Sequence, residues 1–139
     1  MKPANALALA VIVACLAGPA TAGAPAKPIR EFTATANSEH YICILGFQLA
    51  MLGSRTLTEA AACIDEGKAA ISPLYTRVKT RLAKKPATLS MAKDYYASWL
   101  SSMDELLPKP GETRRLYDAR QDAAQAHLKL VGERLSLEE

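Results

Sequence analysis

Residues 43–63 read CILGFQLAMLGSRTLTEAAAC, and the fold follows from how this stretch is divided. Its first half is apolar with helical spacing. Gly53-Ser54-Arg55 interrupts it, and Thr56-Leu57-Thr58-Glu59 starts a new helix with a hydroxyl at the N-cap and a carboxylate three residues on, so that each satisfies a free backbone donor of the other. A cysteine stands at each end of the stretch. Cys43 lies about ten residues before the turn and Cys63 about eight after it, which places them at nearly equal depth in an antiparallel hairpin rising 1.5 Å per residue. An oxidising compartment favours their pairing. The closed loop of about 20 residues is then worth roughly 3 kcal/mol through the entropy it removes from the unfolded chain.

Working outward, the first helix is expected over residues 38–52, capped by Asn37 or Ser38. Ile42, Leu45, Leu49 and Leu52 recur at i, i+3, i+7 and i+10, the mark of a core-facing stripe. Ile44, Phe47 and Met51 cover much of the remaining circumference, and no charge falls between His40 and Arg55. A helix apolar nearly all round belongs in the middle of a core or under a partner. The second helix runs to about Lys84, with Leu57, Ile64, Ile71, Leu74, Val78 and Leu82 inward. Pro73 removes a helical hydrogen bond and crowds the preceding turn, which predicts a kink or short break near residues 68–72.

A third helix is expected over residues 89–107, with Ala92, Tyr95, Trp99 and Leu106 on one stripe and Tyr96, Leu100, Met103 and Leu107 on the next. Pro108-Lys109-Pro110-Gly111 breaks it. A fourth over residues 112–135 carries Tyr117, Ala124, Leu128, Val131 and Leu135, with Leu116, Ala123 and Leu130 alongside. No strand pattern or internal repeat competes. The expected fold is all-α: a small up-down antiparallel four-helix bundle with one intramolecular disulfide.

The chain has 139 residues and a formal net charge of +3. It opens with Met1-Lys2, then ALALAVIVACLA over residues 6–17, then Gly18-Pro19 and the small residues Ala20 and Ala22. A charged start, an uncharged apolar run and a small-residue cleavage site make the plan of a secretory signal. The apolar run is too short for a spanning helix, which needs about 20 residues. The division expected is a signal over residues 1–22, a flexible Pro-containing arm over 23–37 and one helical domain over 38–139. The destination is the periplasm or the exterior, with no transmembrane segment in the mature chain. Ile12-Val13-Ala14-Cys15 also resembles a lipobox, and cleavage there would leave a lipoprotein anchored through Cys15.

The modest, dispersed positive charge argues against nucleic acid, which calls for a concentrated basic face. Catalytic chemistry finds little support. His40, Cys43, Cys63 and His127 form a formal zinc set, but disulfide-bonded cysteines are not thiolates, and no metal site is expected. His40 is expected exposed near a helix start and His127 half-buried. The haem-attachment motif is absent, and no cofactor is expected. No nucleophile-elbow pattern occurs. Asp65-Glu66 and Asp104-Glu105 are neighbours that diverge on a helix and make no shared carboxylate site.

Two surfaces remain as candidates. Phe47, Met51, Tyr95, Tyr96, Trp99 and Met103 form a candidate partner surface, since aromatic and Met side chains are efficient interface anchors. Arg55, Lys109, Arg114 and Arg115 form a candidate basic rim where the two turns meet, with Glu59, Glu105 and Glu112 near enough to neutralise it. The expected function is a non-enzymatic exported module that binds another protein of the periplasm or envelope, of the inhibitor or immunity type, with a homodimer as one form. The alternatives are a structural or chaperone-like envelope component and a small-ligand or haem carrier.

Overall fold

The computed structural model describes residues 27–139. It contains α1 (Pro28–Met51), α2 (Leu57–Arg81), α3 (Pro86–Asp104) and α4 (Arg114–Ser136), and no strand among the described residues. The helices alternate in direction around a square, each packed on its sequence neighbours, with α1 closing the ring against α4 and meeting α3 across the diagonal. The signal sequence, with Ala20, Ala22 and Cys15, lies outside the described residues.

The expected flexible arm is corrected: α1 begins at Pro28, and residues 28–37 are its first turns. Proline suits the first helical position, where its missing N–H costs nothing. Glu31 sits in the first turn, where the helix dipole favours a negative charge. Lys27 supplies no side-chain cap. Instead the Glu139 carboxylate, beyond α4, accepts hydrogen bonds from Ile29 N–H and Arg30 N–H, both at 3.1 Å. A cap supplied from the far end of the chain leaves no local sign in residues 23–37.

The earlier start fixes which side of α1 is inside. Ile29, Phe32, Ala36, His40, Cys43 and Phe47 are all essentially sealed from solvent. Their spacing of three and four residues makes one continuous face. Cys43 on that face is bonded to Cys63 of α2, with a Cα–Cα distance of 5.6 Å. The stripe expected to face the core, Ile42, Leu45, Leu49 and Leu52, therefore points outward.

The capping box of α2 forms as its sequence indicates. Thr56 Oγ1 accepts from Glu59 N–H at 3.1 Å, and Glu59 accepts from Thr56 N–H at 3.0 Å. The break expected near Pro73 is absent, since α2 is helical throughout. Pro73 sits on the exposed side, where its ring meets no packed neighbour helix. Ile71, Val78 and Leu82 are buried as the periodicity requires, but Leu57, in the first turn, is exposed.

Across the diagonal, α3 is pinned to α1 by polar tips of aromatic side chains. Trp99 Nε1–H donates to the Ala36 carbonyl at 2.7 Å, and the Tyr95 hydroxyl donates to Asn37 Oδ1 at 2.6 Å. Phe32 meets Tyr95 edge-on at 5.4 Å between ring centres, and Tyr75 stacks on Tyr96 at 3.9 Å. Gly132 lets α4 approach this cluster: an added Cβ would lie 3.2 Å from Tyr95 Cε1 and 3.4 Å from Thr33 Cβ.

Phe32→Ala tests the corrected start of α1. Removal of a fully buried phenyl ring is expected to cost about 3–5 kcal/mol in urea unfolding, whereas a side chain on a flexible arm would leave stability unchanged.

Candidate functional site

The six residues expected on a partner surface are not brought to one. Phe47, Tyr95, Trp99 and Met103 are fully buried within the single chain. Met51 and Tyr96 are half-buried and pack against the core. Of the two consecutive tyrosines, Tyr95 takes the centre and Tyr96 the boundary. The correction has a simple cause: once Cys43 and Phe47 face inward, the residues that continue their line on α1 and those facing it on α3 become core or its boundary.

The apolar surface that α1 has in excess is exposed on its opposite side. Tyr41 (53% exposed), Ile42 (51%), Leu45 (41%), Leu49 (41%) and Leu52 (65%) form a stripe along its outer face. Isolated exposed leucines are ordinary, whereas this is a continuous apolar run along three turns. The outer face of α4 makes a useful contrast. Leu116, Leu130 and Leu137 are also exposed there, although Leu116 and Leu130 were expected beside the core. They are separated by alanines and interspersed with Arg115, Asp122, Lys129 and Glu133.

The flanks of the α1 stripe are polar and positioned. On the α4 side, Gln48 Nε2 donates to Asp118 Oδ1 at 2.9 Å, and Asp118 also pairs with Arg114 at 3.1 Å. On the α2 side, Glu39 packs at Gly67, and the Arg55 guanidinium folds back over Gly46, 3.2 Å from the position a Cβ would take. On this flank Glu39 thus lies at the start of the stripe and the Arg55 guanidinium beside its middle.

The four cations of the expected basic rim do share one end of the bundle, because the Gln48–Asp118 bond places the end of α1 beside the start of α4. Arg114 is neutralised by Asp118. No carboxylate forms a salt bridge with Arg55, Lys109 or Arg115 among the described residues. The acids expected to balance them make their closest contacts elsewhere, Glu59 with its cap and Glu112 and Glu105 with Arg120, although the Arg55 charge still acts on Glu59 and that of Lys109 on Glu112. Arg120 is a structural cation that sequence reasoning overlooked. It donates to the carbonyls of Glu105 and Leu107 and to both carboxylate oxygens of Glu112, strapping down the α3–α4 connection. The Arg120 hydrogen bond and the Lys109 backbone N–H hold the Glu112 carboxyl down at about 2.

The two histidines are placed the other way round from expectation. His127 is exposed, and His40 is sealed in the core with neither ring nitrogen hydrogen-bonded. The helix starts at residue 28, so His40 falls mid-helix on the inner face. Gln125 lies beside it, donating through Nε2 to the Asn37 carbonyl at 3.3 Å while its own Oε1 has no partner. Burial drives the His40 pKa down to about 4, with Gln125 acting in the opposite direction. Among the described residues no group of three or more His, Cys, Asp or Glu side chains is arranged to hold a metal ion. No helix among them is long and apolar enough to cross a membrane.

His40 gives the protein an acid limit. The unfolded chain takes up a proton near pH 6.5, and the folded core refuses it until about pH 4. Stability is thus unaffected by this group above pH 6.5 and is lost as pH falls towards 4, by on the order of 3 kcal/mol across the window. Urea unfolding of wild type and His40→Leu between pH 7.5 and 4.5 checks this. The slope is expected to be much steeper in the wild type than in the variant, which keeps only the carboxylate contribution at the acid end; parallel curves would contradict it.

No family model matches the chain, and searches of curated proteins and of solved structures find no match to it.

Proposed function

We propose that this protein is a small exported, non-enzymatic protein-binding module that docks through the outer face of α1. One observation carries the reading: a helix stapled into its bundle by a disulfide leaves Tyr41, Ile42, Leu45, Leu49 and Leu52 in solvent together. A fold of this size gains from turning such residues inward, and α1 already has enough apolar positions to fill its inner face. A second apolar face is superfluous for folding and is well suited to association.

The same stripe explains why a rigid support matters. Binding is strengthened when the interacting side chains are pre-ordered, because less entropy is lost on contact. The Cys43–Cys63 bond, the Trp99–Ala36 hydrogen bond and the Gln48–Asp118 bond hold α1 from three sides. Export is supported by the signal-like residues 1–22 and by a paired disulfide, which persists in oxidising compartments.

The test is an affinity comparison between wild type and Leu45→Glu/Leu49→Glu, both immobilised and exposed to extract from the compartment into which the protein is exported. A protein retained stoichiometrically by wild type and lost with the variant, at unchanged melting temperature, is the expected result. Equal retention by both overturns the use of this face.

A further inference from the structure

We infer that His40 is an acid trigger that releases the second half of α4, residues 122–136, from α1 while the rest of the bundle stays joined. The inference is independent of the docking face and concerns the inner side of α1.

Each wall of the bundle is held differently. The Cys43–Cys63 bond ties α2 to α1. Trp99 and Tyr95 tie α3 to α1, through the Ala36 carbonyl and Asn37 Oδ1. The start of α4 is strapped to the end of α3. There the Tyr117 hydroxyl donates to the Leu106 carbonyl at 2.8 Å, Gln121 Nε2 donates to the Glu105 carbonyl at 3.1 Å, and Arg120 holds Glu112 at 2.8 Å. Mild acid leaves all of these intact. Burial pushes the Tyr95 and Tyr117 hydroxyls up, away from the acid range, and the Glu112 carboxyl is held down at about 2.

Beyond Gln121 the fastenings of α4 to α1 are weaker. Gln125 Nε2 donates to the Asn37 carbonyl at 3.3 Å, longer than an ordinary amide hydrogen bond. The Thr33 and Ser136 hydroxyls meet at 3.1 Å, a neutral contact. The Glu139 carboxylate caps Ile29 N–H and Arg30 N–H. That cap weakens when the carboxylate takes up a proton, because a charge-assisted hydrogen bond is roughly twice as strong as a neutral one. An open groove of about 470 Å³ runs along this part of the seam, lined in part by Thr33, Asn37, Gly132 and Ser136.

His40 stands at the same seam. Its ring is sealed from solvent with neither nitrogen hydrogen-bonded. Gln125 of α4 is the one polar side chain that acts on it. The charged groups at this level are Glu39 on α1, Lys68 on α2, Asp104 on α3, and Asp122 and Lys129 on α4. Lys68 and Asp104 pair with each other at 2.7 Å, Glu39 lies against Gly67, and Asp122 and Lys129 are exposed. None of the five offsets a charge on the ring. A buried imidazolium without a counter-ion must reach water. The wall with the fewest acid-resistant fastenings yields first, and that is α4 beyond its strap. Its release hydrates the ring and carries Leu128, Val131 and Leu135 into solvent. The closed bundle thereby gains an apolar face that exists only in acid.

The experiment is hydrogen exchange read by mass spectrometry on the exported, oxidised protein at about pH 7.5 and 4.5, corrected for the intrinsic effect of pH on exchange. A ring that takes its proton near 6.5 when open and at about 4 when closed favours opening in acid. Residues 122–136 are expected to lose protection about tenfold or more, while residues 57–81 and 86–104 keep theirs to within about threefold. Two variants separate the cause. His40→Leu is expected to keep residues 122–136 protected in acid. Thr33→Cys/Ser136→Cys replaces hydroxyl oxygens already 3.1 Å apart, locks the seam on oxidation, and is expected to do the same with His40 in place. Protection that falls equally in all four helices overturns the selective release, and unchanged protection of residues 122–136 in wild type overturns the release itself. A loss that persists in His40→Leu assigns the effect to the carboxylates and overturns the role of His40. A loss that persists in the locked form places the opening away from the α1–α4 seam and overturns the inference as well.

Discussion

The bond between Cys43 and Cys63 ties the middle of α1 to the first turns of α2 and, with it, sets the turn of α1 about its own axis. A helix with apolar residues on most of its circumference has several rotations that bury similar hydrophobic area. A covalent link through one residue leaves one of them. With Cys43 inward, Phe47, His40, Ala36, Phe32 and Ile29 follow it at helical spacing. Ile42, Leu45, Leu49 and Leu52 are left outside. The diagonal bonds from Trp99 and Tyr95, and the Glu139 cap at the start of α1, are all made on the side that this rotation presents to the bundle.

The rotation also accounts for a costly feature of the core. His40 enters because it stands between Ala36 and Cys43 on the buried line, and it has no hydrogen-bond partner there. A buried polar ring without partners costs folding energy, and the depressed pKa is the same cost seen as proton affinity. Arg120 shows the opposite outcome for a polar group. Half-buried, it reaches two carbonyls and a carboxylate, and it converts an irregular Pro-Gly connection into a fixed one.

Much of the bundle is legible in the sequence. The four helices, the Thr56 capping box, the breaks at Gly53 and Pro108–Gly111, the Tyr95–Trp99 and Tyr117–Leu128–Leu135 stripes and the disulfide pairing all follow from local pattern. The rotation of α1 does not, because two stripes on that helix share the same period. The distinguishing signal lies upstream. Continued towards the start of the chain, the Ile42 stripe meets Ser38, Thr35 and Glu31, whereas the Cys43 stripe meets His40, Ala36, Phe32 and Ile29. Residues 28–37 read as part of an arm because of the two prolines in residues 23–37, the small residues and the weak periodicity, and so that continuation is hidden. The disulfide itself carries the same information: a bond to α2 places Cys43 on the inner face and excludes Ile42, one residue away and about 100° round the helix, from its centre.

The inside-out assignment of α1 is therefore what everything else depends on, and a paired stability measurement reaches it most directly. Phe47→Ala and Leu49→Ala are compared with wild type by urea unfolding, at a concentration low enough to keep every form monomeric. The structure predicts a loss of about 3–5 kcal/mol for Phe47→Ala and a change of no more than about 0.5–1 kcal/mol for Leu49→Ala. A large loss for Leu49→Ala with a small one for Phe47→Ala would place the other stripe in the core and contradict the account.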